Sequence, residues 1–185
     1  VAELIYERLG DLIFGEDADT LPGVVVAELL RRNETLGTVE FGTGGMLSHD
    51  LALVPDSQLC YHGGLTNLPD EALHKMFVAE AAIQSAVRSQ DTQADHALPE
   101  QRNISNVAAS ARRFFGTDHA LVVGRYPDGG IDANTDTGAD KLVWLAHAHA
   151  KGVAAVSFPF GGHPALIDQL FVKRALDLLR RALKL

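Results

Sequence analysis

The segment GTVEFGTGGML, Gly37 to Leu47, places a strand-like run directly before a glycine-rich turn and a helix-like run. A strand that passes into a helix through a tight turn predicts a sheet with helices packed on it. The turn also offers backbone N–H groups at a helix N-terminus, where an anion such as a phosphate is favoured. Phe41 stands in this turn at a place where a small polar residue would be usual.

Strand and helix patterns alternate along the rest of the chain. Thr20 is placed as an N-cap with Pro22 in the first turn, and Gly116 is placed after a helix end. Helices are predicted over 24–32, from the turn to 53, and over 69–88, 103–115 and 164–183; strands are predicted over 36–41, 59–65, 119–124, 141–148 and 153–160. This order predicts a three-layer α/β/α sandwich with a mixed, mostly parallel sheet, formed by residues 20–185 after a lead-in segment, 1–19.

Composition excludes several classes of partner. The formal net charge of −8 over 185 residues lacks the positive surface that nucleic acid or an anionic membrane needs. The one cysteine, Cys60, cannot form an internal disulfide, and no apolar run is long enough to span a bilayer. These features predict a cytoplasmic protein, and no motif predicts a cofactor.

Four segments carry a family resemblance. TVEFGTGG at 38–45 resembles the T-A-E-S-C-T-G-G signature of the CinA C-terminal domain family, the nicotinamide-nucleotide amidohydrolases. VPDS at 54–57, PDGG at 127–130 and FGG at 160–162 are similar to that family's V-P-G-S, G-P-x-G-G and F-x-G-D-R segments. The lead-in also resembles the segment that precedes this domain in full-length CinA proteins. The resemblance implies an α/β/α sandwich that hydrolyses the amide of nicotinamide mononucleotide to the acid and ammonia.

The resemblance fails at the catalytic positions. Members are thought to use the serine of the signature as nucleophile, with Glu40 and Thr43 at neighbouring motif positions, but this chain has Phe41 there and Gly42 in place of the cysteine. Phenylalanine has no nucleophilic atom. The family's lysine, tyrosine and arginine fall on Leu73, Leu68 and Pro164. We therefore interpret the chain as a catalytically degenerate relative that acts as a nucleotide-binding or assembly module.

A retained ligand would be a nicotinamide nucleotide or another small phosphorylated molecule. Glycine-rich backbone and an arginine are the groups that hold phosphate oxygens. The residues that we expect to contact such a ligand are Thr43, Gly44, Gly45, Arg125, Gly129 and Gly130.

The alternative is an active amidohydrolase with a relocated nucleophile or an activated water. Thr43 and Ser48 carry hydroxyl groups in and just after the turn, and Lys75 lies two residues from the family's lysine position. His62 is a second possible base, since alternation on the predicted strand places it on the same side as Cys60. Cys60 is itself interpreted as a small buried core residue.

Two further patterns have residue types that are found in metal sites. His147 and His149 point to one face of a strand, but no third ligand accompanies them at a helpful spacing. DANTDTGAD, 132–140, has alternating oxygen donors, yet its glycine and its twelfth position do not match a calcium loop. We predict no metal site. The broad apolar stripe of the last helix favours a homo-oligomer instead.

Overall fold

The computed structural model describes residues 8, 13–15, 18–69, 71–73, 75, 99–127 and 141–185. Within these residues the helices are α1 Leu21–Arg32, α2 Met46–Ala52, α3 Pro99–Phe115 and α4 Ile167–Ala182. The strands are β1 Leu36–Glu40, β2 Tyr61–Thr66, β3 His119–Val123, β4 Leu142–His149 and β5 Gly152–Pro159. None of these helices is long and apolar enough to cross a bilayer.

The five strands form one sheet in the order β2-β1-β3-β4-β5. β1 is parallel to β2 and to β3, whereas β4 is antiparallel to both of its neighbours. Four of the five strands therefore run in the same direction and only β4 is reversed. The predicted mixed, mostly parallel sheet is confirmed.

Helices cover both faces of this sheet. One core lies under α1, α2 and α4 and includes Leu29, Leu121, Leu145, Phe171 and Leu176. The other core lies under α3 and is built mainly from small side chains, among them Ala108, Ala111, Ala120, Val122 and Ala146. The two cores on opposite faces make the predicted α/β/α sandwich.

The predicted signals at two helix ends, Thr20 and Gly116, agree with the structure, whereas α3 begins at Pro99, before the predicted residue 103. The Thr20 hydroxyl accepts a hydrogen bond from the Gly23 N–H at 3.2 Å and caps α1. Gly116 follows α3 with a φ of 63°, a left-handed conformation that favours glycine. The last helix begins later than predicted, because Pro164–Leu166 forms a 3₁₀ turn before α4.

The prediction that Cys60 and His62 face the same side is wrong. A 3₁₀ turn over Ser57–Leu59 delays β2 until Tyr61, and the register of β2 against β1 then slips by one residue near His62. Cys60 is thus buried in the core, where burial raises the pKa of its thiol, while His62 is exposed.

Several predicted features lie outside the described residues. These are Gly129 and Gly130, the aspartate-rich loop 132–140, most of the lead-in segment 1–19, and most of the helix predicted over 69–88. Residues 71–73 of that helix are helical.

Candidate functional site

The turn between β1 and α2 owes its shape to two glycines. Gly44 has a φ of 62° and Gly45, the N-cap of α2, has a φ of 98°. Residues other than glycine rarely adopt this left-handed backbone conformation. The turn therefore reverses tightly and starts α2 directly beyond the end of β1.

The carboxylate of Glu40 lies at the N-terminus of α2 and caps it. It is fully buried and accepts hydrogen bonds from the Thr43 hydroxyl at 2.6 Å, the Leu47 N–H at 2.9 Å and the Ser48 N–H at 2.8 Å. The Ser48 hydroxyl is a fourth donor. A negative charge is favoured at this end of a helix. Two of the amides that the sequence offered to a bound anion are thus already occupied by the chain's own carboxylate.

A chain of hydroxyl groups continues from Glu40 into the sheet. The Ser48 oxygen lies 3.0 Å from the Thr38 hydroxyl, which lies 2.6 Å from the Tyr61 hydroxyl. Burial raises the pKa of Tyr61. Gly64 faces this group, and a Cβ there would collide with all three hydroxyl oxygens. The absence of a side chain at position 64 is what leaves room for the network.

Phe41 packs as a hydrophobic residue at the edge of the α3 core. Its half-buried ring lies with Leu65 and Leu68 against that core. The guanidinium carbon of Arg125 is 4.8 Å from the ring centroid, and Arg125 also donates to the Leu68 carbonyl at 3.2 Å. The structure thus brings Arg125 to the turn, as predicted, and holds it against Phe41.

Tyr126 explains why position 42 is glycine. Its ring packs against Phe160 and Phe171, with centroids 4.9 Å and 5.4 Å away, and its hydroxyl donates to Asp168 at 2.9 Å. Burial, followed by the contact with Asp168, raises the pKa of Tyr126. A Cβ on Gly42 would come within 2.9 Å of the Tyr126 Cζ and closer still to other ring carbons. No local sequence pattern predicts this pairing of Gly42 with Tyr126.

The predicted bases lie apart from this turn. Lys75 donates to Glu71 at 2.7 Å, and both side chains are largely exposed, at 74% and 80%. Leu73, at the family's lysine position, is buried in the α3 core. The His62 ring nitrogen lies 3.4 Å from the Phe115 carbonyl. Neither base makes a described contact with Phe41 or Thr43.

A second polar group lies at the opposite end of the sheet. His147 and His149 do share one face of β4, as predicted, with ring centroids 5.2 Å apart. His147 also meets His119 of β3 at 3.0 Å between ring nitrogens, and His119 meets Glu34 at 3.0 Å. Burial, and then the neighbouring His119 and His149, lower the pKa of His147 to about 3. In the described part of the chain no three His, Cys, Asp or Glu side chains are placed to hold a metal ion.

A family profile described as "CinA C-terminal domain" matches residues 18–183. The chain belongs to the CinA C-terminal domain family. A CinA-like protein of Geobacter sulfurreducens is 30% identical over 185 residues, which is 97% of this chain and 41% of that protein. A CinA-like protein of Parasynechococcus marenigrum is 33% identical over 180 residues, 95% of this chain and 40% of its own length. The chain thus spans about two fifths of the length of the curated relatives it matches.

Solved CinA structures share the fold. A CinA superfamily protein of Klebsiella pneumoniae superposes with a TM-score of 0.66 at 25% identity, covering 89% of this chain and 96% of that one. The competence/damage inducible protein CihA of Agrobacterium tumefaciens gives a TM-score of 0.67 at 22% identity, covering 94% and 99% of the two chains. This CinA domain therefore keeps the family's architecture around the β1–α2 turn that contains Phe41.

Proposed function

We propose that this chain is a catalytically degenerate CinA C-terminal domain that acts as a nucleotide-binding or assembly module rather than as an amidohydrolase. The observation that carries the proposal is the environment of Phe41. Covalent amide hydrolysis needs an oxygen or sulfur nucleophile beside a base. Position 41 instead holds an aromatic ring packed against the α3 core, with Arg125 over its face.

The neighbouring positions support the same conclusion. Leu73 is buried where the family pattern has its lysine, and Leu68 packs where the pattern has its tyrosine. Gly42, at the cysteine position, lies against the Tyr126 ring. A single substitution at position 41 therefore leaves apolar residues at the lysine and tyrosine positions.

The hydroxyl groups near the turn are poorly suited to replace the lost serine. The Thr43 side chain is only 3% exposed and its hydroxyl donates to Glu40. The Ser48 hydroxyl is enclosed by Glu40 and Thr38 and lies next to Gly64. Both hydroxyls therefore serve the capping of α2, which argues against a relocated nucleophile.

The ligand that we propose is a nicotinamide nucleotide or another small phosphorylated molecule, bound beside the turn. Arg125 supports this proposal, because its guanidinium lies over Phe41 beside the turn and guanidinium N–H groups suit a phosphate. Thr43, Gly44, Gly45, Gly129 and Gly130 remain the proposed backbone contacts.

Calorimetric titration of nicotinamide mononucleotide, with its hydrolysis followed in the same samples, tests this proposal. We expect heat of binding without formation of the acid. Phe41→Ser should not restore turnover at a family-like rate, because Leu68 and Leu73 remain. Turnover by the unaltered chain would instead support an active enzyme. In that case single substitution of Thr43, Ser48, His62 and Lys75 should abolish the rate in at least one variant.

Assembly needs a separate test, because the apolar stripe of α4 packs into the domain's own core. Phe171, Val172, Leu176 and Leu179 are buried in the domain's own core, whereas Leu166 before α4 is exposed. We propose a homo-oligomer in the cytoplasm, and sedimentation at tens of micromolar checks the first part. A strict monomer would remove assembly and leave ligand binding as the role.

A further inference from the structure

A cleft of about 240 Å³ lies at the end of the sheet where β3 begins, opposite to the end that carries the β1–α2 turn. His119 begins β3, and Glu40 pairs with the other end of that strand at Val123, roughly 13 Å away along the strand. We call this cleft the histidine cleft. Its lining residues are Arg32, Glu34, Asp118, His119, His147, His149, Ala150, Lys151, Ala182 and Leu183. The proposed function above does not use it.

The acidic groups of the histidine cleft are already engaged. Glu34 pairs with the His119 ring at 3.0 Å. One oxygen of Asp118 accepts from the Thr35 N–H at 2.9 Å and from the Thr35 hydroxyl at 2.8 Å. Arg32 is likewise held, by Glu28 at 2.6 Å and by the Leu183 carbonyl.

Two basic side chains of the cleft have no acidic partner among the described residues. The Lys151 backbone N–H donates to His149 Nδ1 at 3.3 Å, but no carboxylate pairs with the Lys151 ammonium group. Because Nδ1 accepts this bond, the proton of neutral His149 lies on Nε2, which is a further donor. The formal charges of Arg32 and Lys151 balance those of Glu34 and Asp118 in this lining. What remains for a ligand is the Lys151 ammonium, which no described carboxylate pairs with, and the Nε2 donor of His149.

We propose that the histidine cleft binds a small oxyanion, such as the phosphate group of a metabolite, between Lys151 and His149. The site is separate from the β1–α2 turn and does not depend on the nucleotide proposed there. The volume suits a molecule of small-metabolite size.

The groups around His149 make the affinity of the cleft for an anion depend on pH. Partial burial, and then His119, Lys151 and Arg112, lower the pKa of His149. The remaining groups that line the cleft are His147, Arg32, Glu34 and Asp118. A bound anion stabilises the charged imidazole and raises its pKa. Affinity therefore increases as the pH falls, by at most about tenfold per pH unit for one coupled proton.

Sulfate is the first probe, since it does not titrate near neutral pH. Titration of the whole chain by calorimetry, from about pH 7.5 to about pH 5.5, should show one site whose affinity increases toward acid. Inorganic phosphate and ribose 5-phosphate are the second and third probes. Equal affinity for both identifies a site for the free ion, and tighter binding of the ester identifies a phosphorylated metabolite.

Three variants make the result specific. Lys151→Gln should weaken sulfate binding by about tenfold, as expected for loss of a charged hydrogen bond. His149→Gln should remove the pH dependence, and Lys173→Gln on the exposed surface of α4 should match the parent. Lys151 is exposed, so its variant keeps the test valid even where His149→Gln fails to fold. Absence of sulfate binding, or equal binding by Lys151→Gln and the parent, would overturn the proposal.

Discussion

The guanidinium carbon of Arg125 lies 4.8 Å from the centroid of the Phe41 ring, at the position where the CinA pattern has its serine. Such a cation–π contact contributes about 1 kcal/mol, and the hydrogen bond from Arg125 to Leu68 fixes its geometry. Phe41 is thus part of the packing between the turn and the α3 core. The remaining features of the turn can be tested as structural elements.

Glu40→Gln should destabilise the fold strongly. The charged carboxylate accepts four hydrogen bonds in a buried site, and the amide can accept only some of them while adding donors that lack acceptors. The free energy of unfolding should fall by about 2–4 kcal/mol. Urea unfolding followed by circular dichroism measures this change.

Glu71→Gln is the matched control for that substitution. Its partner Lys75 and Glu71 itself are both largely exposed, so the change should be within about 0.5 kcal/mol of zero. If Glu40→Gln and Glu71→Gln had equal effects, Glu40 would not be the cap of α2.

Gly42→Ala should destabilise the chain through overpacking. The added Cβ meets the Tyr126 ring, which Phe160 and Phe171 hold in place, and a cost of about 1–3 kcal/mol is expected. Thermal unfolding compares this variant with Gly161→Ala, since a Cβ at Gly161 has no neighbour within 4 Å. The penalty should largely disappear in a Tyr126→Ala background, and additive effects there would refute the contact.

Two arginines of α4 should respond in opposite ways to replacement by methionine. The Nη1 atom of Arg174 is buried and has no hydrogen-bond partner among the residues that the structure describes, and the guanidinium lies over Phe158 and Phe171. Arg174→Met should therefore leave stability unchanged or raise it by up to about 1 kcal/mol.

Arg180→Met should instead lower the free energy of unfolding by about 3 kcal/mol. Arg180 is 1% exposed and donates to Asp177 at 2.7 Å and to the Leu185 carbonyl at 2.6 Å. Denaturant unfolding of both variants checks the contrast. A loss for Arg174→Met as large as that for Arg180→Met would show that the unpartnered nitrogen carries no cost.

His147 should make the fold sensitive to acid. Its pKa is lowered to about 3 in the folded chain, against about 6.5 when unfolded, so the unfolded chain takes up this proton first. Stability should then fall as the pH decreases from about 6.5 toward about 3, by up to about 1.4 kcal/mol per pH unit from this group. Urea unfolding across this range should give a shallower slope for His147→Gln, while His62→Gln keeps the parent slope.

Local patterns predicted the described helices and strands and several of their ends, because the signals lie within a few residues. The Thr20 cap, the Gly44–Gly45 turn and the glycine at 116 each act on adjacent backbone. The order of strands and helices then limited the sheet to a mixed arrangement. The family resemblance drew attention to Phe41 for the same local reason.

In both the β1–α2 turn and the histidine cleft, the contacts that decide the chemistry join residues that are far apart in the sequence. Glu34 and His119 are 85 residues apart, and Tyr126 and Asp168 are 42 apart. No spacing rule links such pairs. The pairing of Cys60 with His62 failed for a different reason, since one extra residue in β2 reversed the expected alternation. A sequence pattern carries no sign of that slip.

The most direct test of the central claim is the rate at which the purified chain releases ammonia from nicotinamide mononucleotide. The ring of Phe41 at the nucleophile position, with Leu73 buried at the lysine position, predicts no release above the buffer blank. Phe41→Ser should behave in the same way. Sustained release by the unaltered chain at a family-like rate would contradict the account.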